Sequence, residues 1–208
     1  MKRGYGGISA AQRSADRRLQ LLDAALEAVG GAGYEALTVS GLCRVTGLND
    51  RYFYEHFPNR EAIFESLVEH LAEQTLALMN AAGNAVSDED PRAVVEAGLK
   101  AFVKSIADDP RKARVIFVEA PARESRSHRT KIRDMFVALS RQVLDVHGKD
   151  VIEGVAGQSD LAGIYAYGGV AETITSWVVG DLNCTEDELL QSLTEIFMAI
   201  VNHTSATT

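Results

Sequence analysis

Cysteine is scarce: two in 208 residues, Cys43 and Cys184, cannot build a disulfide framework. One sits inside a helical pattern and the other just ahead of a helix cap. That placement suits a reducing compartment, and the cytoplasm is the expected location. The longest apolar runs fall far short of the roughly 18 residues needed to cross a bilayer, so no membrane span is expected. The opening MKRGYGGISAAQR has no apolar segment of a signal peptide, so export is not expected either. His56, His70, His128, His147 and His203 never stand at metal-ligand spacing with one another or with the cysteines, so no metal and no other cofactor is expected. Gly30-Gly31-Ala32-Gly33 follows a helical pattern instead of a strand and reads as a helix stop, not a phosphate loop. Gly157-Gln158-Ser159-Asp160-Leu161 lacks the last glycine of a nucleophile elbow. With no convergent acid, base and nucleophile, no enzymatic activity is expected. No alternating strand pattern competes with helix anywhere.

What is present is ordinary soluble composition, 46% hydrophobic and 24% charged, with the charge unevenly placed. Residues 1–60 hold eight Lys and Arg against six Asp and Glu, whereas residues 61–208 hold thirteen against twenty-three. The net charge of −8 therefore comes from an acidic C-terminal part set against a slightly basic N-terminal one. Lys2, Arg3, Arg13, Arg17 and Arg18 lead into the first helix, where they can approach phosphates, while an acidic body discourages nonspecific wrapping of DNA. The alternative for residues 1–12 is a disordered solubilising tail.

Residues 38–64, TVSGLCRVTGLNDRYFYEHFPNREAIF, read as two short helices joined by a glycine turn. Thr38 caps the first, which buries Val39, Leu42 and Val45. Gly47 supplies the positive φ of the turn and Leu48 plugs it. Asn49 caps the second, anchored inward by Phe53 and Phe57. Pro58 stops it, and Asn59 caps a longer helix with Ile63, Phe64, Leu67, Leu71 and Leu78 inward.

This stretch resembles the TetR family of transcription regulators. The likeness runs through Leu37-Thr38-Val39, Gly47-Leu48-Asn49 and Tyr54-Glu55-His56-Phe57-Pro58-Asn59-Arg60-Glu61-Ala62-Ile63-Phe64, within a core from Leu19 to Phe64. The family usually has Ser at position 49, Gly at 51 and Thr or Ser at 52, where this chain has Asn49, Arg51 and Tyr52. Those departures bear on the operator sequence. The resemblance implies that Thr38, Tyr54, His56 and Arg60 contact DNA phosphates, with Arg44 as a further phosphate residue. Asn49, Asp50, Arg51 and Tyr52 begin the helix that enters the major groove, and Arg51 is the best guanine reader among them.

The remainder reads as helix, giving an all-α chain of about nine helices. Residues 1–15 form a flexible basic arm, 16–60 the helix-turn-helix DNA-binding domain, and 61–208 a helical regulatory domain for ligand binding and dimerisation. Leu19, Leu22, Leu26 and Val29 mark the first helix. Asp90-Pro91 opens a helix with Val95, Leu99, Phe102 and Ile106 inward, and Asp109-Pro110 opens a shorter one around Val115, Ile116 and Phe117. A long helix is expected over Ile132, Phe136, Leu139, Val143 and Val146, and a loop or frayed end from Gly148 to Gly157. One apolar helix runs from near Asp160 to Val179; the last starts at the capping box Thr185-Glu186-Asp187-Glu188.

By the resemblance, the middle helices enclose a pocket for a small, largely apolar effector, and the last two helices pack against a second copy. Phe102, Ile106, Phe117, Phe136, Tyr165 and Trp177 are the expected lining, with the Tyr165 hydroxyl, the Trp177 N–H and Glu172 as polar handles. The dimer surface is expected on Leu161, Gly168, Ala171, Leu189, Leu193, Ile196, Phe197 and Ile200, with Ala162, Gly163, Ala166 and Gly169 allowing close approach. Ordinary core packing is the alternative for each. Arg123, Arg126, His128, Arg129, Lys131 and Arg133 form a basic run, read as a solvated helix start, with the flank of an entrance for an anionic ligand as the alternative. The expected partners are double-stranded operator DNA, a small-molecule effector and a second copy of the chain. The expected function is a ligand-responsive repressor released from a palindromic operator by its effector. A transcription activator, a helical small-molecule binder without operator specificity and a helical enzyme are the alternatives.

Overall fold

The computed structural model describes residues 9–86, 90–123, 133–134 and 156–206, and among these every regular element is helical. In chain order they are α1 (Ala10–Ala32), a 3-10 turn (Tyr34–Ala36), α2 (Val39–Thr46), α3 (Asp50–Tyr54), α4 (Arg60–Asn84), α5 (Pro91–Asp108) and α6 (Pro110–Ala113). A π-helical segment (Arg114–Glu119), α7 (Ala120–Ala122), α8 (Ala156–Val179) and α9 (Glu186–Ala206) complete them. The chain divides into two compact units, residues 1–67 and 68–208, with the boundary inside α4. No described helix is long and apolar enough to cross a membrane. The long helix expected over Ile132–Val146 lies outside the described residues. The helix expected from near Asp160 starts earlier, at Ala156, so part of the expected Gly148–Gly157 loop is helical.

Local chemistry sets the boundaries. Ser9 accepts from the Gln12 N–H and starts α1. Gly33, at φ 86°, ends it. Asp90 and Asp109 cap α5 and α6 ahead of prolines at the first helical position. At α9 the capping box is reciprocal: the Thr185 N–H donates to Glu188 Oε2 at 2.8 Å and the Glu188 N–H donates to Thr185 Oγ1 at 3.2 Å.

The head packs α1 against α2, and α2 against α3. Its core is Leu21, Leu22, Ala25, Val29, Tyr34, Leu37, Leu42, Phe53, Phe57, Ile63, Phe64 and Leu67. Three expectations about this and the following helix fail. Leu19 and Val45 are 45% and 69% exposed, and Leu78 is 48% exposed. On α2 the covered face is centred between Leu42 and Cys43, which leaves Val45 on the flank. On α1 the buried line is Leu21, Leu22, Ala25 and Val29, so Leu19 falls outside it. Farther along α4, Met79 takes the inward place, where it meets Gly98 of α5.

In the second unit α5 packs along α9, and α8 lies against the π-helical segment and α9. Met79, Val95, Leu99, Phe102, Val103, Ile106, Ala113, Ile174, Leu189 and Leu193 form its core, with Phe117, Trp177 and Phe197 packed at the edge.

Candidate functional site

The second short helix is held from below and left open above. Thr38 caps α2 by accepting the Gly41 N–H at 3.1 Å. The α2–α3 turn passes through Gly47, at φ 70°, where a side chain other than glycine is strained. Asn49 accepts the Tyr52 N–H at 3.2 Å, starting α3. Phe53 is fully buried and Phe57 nearly so, their centroids 5.8 Å apart. Anchoring these two rings turns the rest of α3 outward: Asn49, Asp50, Arg51 and Tyr54 are exposed and Tyr52 is half-buried. Thr38 and Arg44 are exposed as well.

The electrostatics of this surface are more committed than the sequence suggests. Arg51 Nε lies 3.3 Å from Glu55 Oε1, so a base edge must compete with an ion pair for it. Arg60 donates to the Leu37 carbonyl, stands over the Tyr34 ring at 4.5 Å and pairs with Glu35 at 3.7 Å. It therefore braces the head internally, and any phosphate contact must come from what those partners leave free. Tyr34 itself donates to Glu61; burial and that carboxylate raise its pKa. Burial, then Asp50, push the Cys43 thiol up, so it stays protonated beside the Asp50 carboxylate at the start of α3. His56 is lowered, first by burial and then by the charge of Arg17, against a smaller opposing pull from Glu55. At neutral pH it is an uncharged imidazole, able to donate one N–H to a phosphate without neutralising it. Its Nε2 is buried without a hydrogen-bond partner.

Contacts from α1 were not legible in the sequence. The Arg17 guanidinium lies 4.6 Å from the Tyr52 ring centroid and that of Arg18 lies 5.5 Å from Phe57. Gln20 donates to the Thr46 carbonyl at 2.9 Å. Sequence reasoning placed both arginines near phosphate. Only Tyr52, which stands where the family has a small residue, hinted at an aromatic partner for one of them.

In the second unit a pocket, partly open to solvent, is lined by Ala72, Thr75, Leu76, Met79, Leu99, Phe102, Ile116, Phe117, Tyr167, Val170 and Ala171. The lining is almost wholly apolar. Phe102 and Phe117 meet edge to face at 6.1 Å, and the Thr75 hydroxyl is turned back onto the Leu71 carbonyl at 2.8 Å. Of the other expected lining residues, Ile106 is buried in the core, Tyr165 is 75% exposed and Glu172 is exposed. Trp177 directs its indole N–H to the Cys184 carbonyl at 3.0 Å, bracing the α8–α9 connection. Phe136 lies outside the described residues. Tyr167, two residues from the expected Tyr165, is the tyrosine in the lining; helical spacing puts it on the opposite side of α8.

One wall of the cavity is the π-helical segment. Ile116 and Phe117 project from it, and the Thr175 hydroxyl of α8 lies 3.3 Å from the Phe117 carbonyl and 2.7 Å from that of Ala171. An ion pair between Arg114 and Glu119, 3.4 Å long, spans the widened turn. Of the expected dimer residues, Leu189 and Leu193 are buried by the chain itself, and Ala171 lines the cavity. Phe197 packs against the core, while Gly168 and Ile196 are exposed. The side chains of Leu161 and Ile200 lie outside the description, as do Arg126 to Lys131 of the basic run. Among the described residues no group of three or more His, Cys, Asp or Glu is placed to hold a metal.

Residues 21–67 match the family profile of bacterial regulatory proteins, tetR family. The head is that of the TetR family. The match covers the head that the caps and the glycine turn build. Among curated TetR-type relatives is the nucleoid occlusion factor SlmA of Marinomonas sp. (strain MWYL1), 24% identical over 131 residues. That match covers 63% of this chain and 66% of SlmA, so the chain spans about two thirds of the relative it matches. Solved structures extend the likeness of fold to the second unit. The fatty acid degradation regulator FadR from Bacillus halodurans superposes with a TM-score of 0.72 at 20% identity, over 95% of this chain and 96% of that one. FadR from Bacillus subtilis, solved in complex with stearoyl-CoA, gives 0.68 at 24% identity over 86% and 96%. A TetR family transcription regulator from Marinobacter aquaeolei VT8 gives 0.68 at 14% identity over 91% and 97%.

Proposed function

We propose that this TetR-family chain is a cytoplasmic one-component repressor: a homodimer that binds a palindromic operator and leaves it when an apolar small molecule enters the second unit. The observation that carries this reading is the pairing, in one chain, of an outward-facing α3 with a cavity lined by apolar side chains. Asn49 to Tyr52 are the base-reading end of α3, with Thr38, Arg44, Tyr54, His56 and Arg60 around it for the phosphate backbone. The effector is a molecule with an apolar chain, since a charged group set among Leu99, Phe102, Ile116 and Val170 would lose its hydration without compensation. The acyl chain of stearoyl-CoA, carried by the Bacillus subtilis neighbour, has that chemistry. For the homodimer the supporting feature is the open face of α8, where Ile164, Tyr165, Gly168, Gly169 and Glu172 fall on one side. A Cβ placed on Gly168 or Gly169 meets nothing within 4 Å, so a second helix can come close there.

The test is a footprint and a mobility shift with the full chain on the intergenic DNA beside its own gene, with and without long-chain acyl compounds. Protection of two half-sites about one helical turn apart, relieved by the acyl compound, is the expected result. Protection of a single half-site by a monomer, or binding that no apolar compound relieves, would overturn the corresponding part.

A further inference from the structure

Arg17 is on α1, away from the residues that face outward on α3, yet its guanidinium lies over the Tyr52 ring at 4.6 Å. At that distance the cation is attracted by the face of the ring. Its Nε is buried with no hydrogen-bond partner. A guanidinium placed to clamp a phosphate would turn its N–H groups toward solvent, whereas one that lies on a ring can leave Nε covered. Tyr52 is half-buried and follows the exposed pair Asp50 and Arg51 on α3. Its backbone is fixed by the Asn49 cap, and what remains free is the swing of the phenol about χ1 and χ2.

We infer that Arg17 is a positioning residue for base readout: stacked on Tyr52, it holds that ring at the angle at which the start of α3 presents it to the major groove. A ring already held loses less freedom when it meets a base edge, so the discrimination it provides is larger than that of a swinging phenol. The neighbouring Arg18 over Phe57 repeats the arrangement on the buried anchor, so α1 grips both an outward ring and an inward one.

The inference rests on the reading of α3 as the operator-binding helix, and the experiment separates the two. The full chain and its Arg17→Ala, Arg17→Lys, Tyr52→Ala and Tyr52→Phe variants would each select from a library of DNA with randomised half-sites, with melting temperatures and salt dependence measured alongside. Tyr52→Ala should flatten the preference at one base position. Arg17→Ala should flatten the same position by about two- to fivefold, the worth of a single cation–π contact, and leave the other positions unchanged. Combining Arg17→Ala with Tyr52→Ala should add nothing further at that position. Arg17→Lys keeps the charge and loses the flat stack, so it should keep the salt slope and still flatten the preference; it also serves if the alanine variant does not fold. A uniform loss on every sequence with a shallower salt slope would make Arg17 a phosphate contact and overturn the inference. So would a lower melting temperature with unchanged base preference. If the unaltered chain selects no sequence at all, it is the operator-binding reading that fails.

Discussion

Ile196 separates two kinds of apolar residue on α9. Leu189 and Leu193 are 1% and 5% exposed and belong to the chain's own core, whereas Ile196, at the edge of the same stripe, leaves 58% of its surface in water. In a single chain Ile196→Glu should therefore change stability by no more than about 0.5 kcal/mol, as surface substitutions do. In a dimer closed over this residue the account differs. Burying the exposed share of an isoleucine contributes about 1–2 kcal/mol per subunit, and an unpaired carboxylate in its place adds a desolvation cost of several kcal/mol. Symmetry applies both losses twice. A total beyond about 5 kcal/mol weakens association by more than a thousandfold. Light scattering should show monomers at concentrations where the unaltered chain is dimeric, with the helical circular dichroism retained. Operator affinity should collapse although the head is untouched, because linkage supplies the effective concentration for the second half-site. Leu193→Glu is the contrast: it should lose helix as well as association. A persistent Ile196→Glu dimer that still binds its operator would place the interface on other surfaces. Lost helical signal would show that Ile196 supports the fold of the single chain.

Tyr54→Phe and His56→Ala should weaken DNA binding to a similar extent on every sequence, whereas Arg51→Ala should shift preference by about 1–3 kcal/mol at one base position, measured by titration of operator variants. Equal loss on all variants for Arg51→Ala would make it a phosphate contact. Ala171→Phe, which projects into the cavity from α8, should abolish release by acyl compounds while leaving operator binding intact in a mobility shift. Glu188 is held below the ordinary glutamate range by the Thr185 N–H, then by its hydroxyl. Its contribution to stability is thus present above the unfolded pKa and lost as pH falls through the folded one. Glu188→Gln should remove that part of the acid-side decline in chemical denaturation; an unchanged profile would show that the box adds no pH-dependent stability.

The features legible in the sequence are those decided within a few residues. Thr38, Asn49, Asn59, Asp90, Asp109 and Thr185 act as caps because a short polar side chain has only its own next turn to satisfy. Gly47 is similarly local. Which of several apolar residues on a helix turns inward depends on a partner the spacing does not name. Leu19, Val45 and Leu78 fit a stripe and face water, whereas Leu21, Cys43 and Met79 take the covered places. The cavity illustrates the same limit. Aromatic residues can be counted in a sequence, but the choice of Tyr167 over Tyr165 depends on the rotation of α8 against its neighbours. The Trp177 donor is taken by a connection whose geometry no periodicity gives. The widened turn at Arg114–Glu119 has no sequence signal beyond Asp109-Pro110, because a π-helical stretch uses the same residue types as an α-helix.

The cations of the head bear on how it can hold DNA. Arg17 and Arg18 lie over rings, Arg51 faces Glu55, Arg60 braces Tyr34, and His56 is held neutral by burial and by Arg17. Each of these arginines already has a partner inside the head, and the body contributes an excess of acid. On the proposed reading, the hydroxyls of Thr38 and Tyr54, the imidazole of His56 and base contacts from α3 share the holding of DNA with Arg44. Uncharged donors fix register without the long-range attraction that makes nonspecific binding strong. On the same reading, a single head holds DNA weakly, and two heads on matched half-sites gain affinity by acting together. On the proposed reading, an effector that alters the spacing of two heads therefore changes occupancy without touching any residue that contacts the DNA.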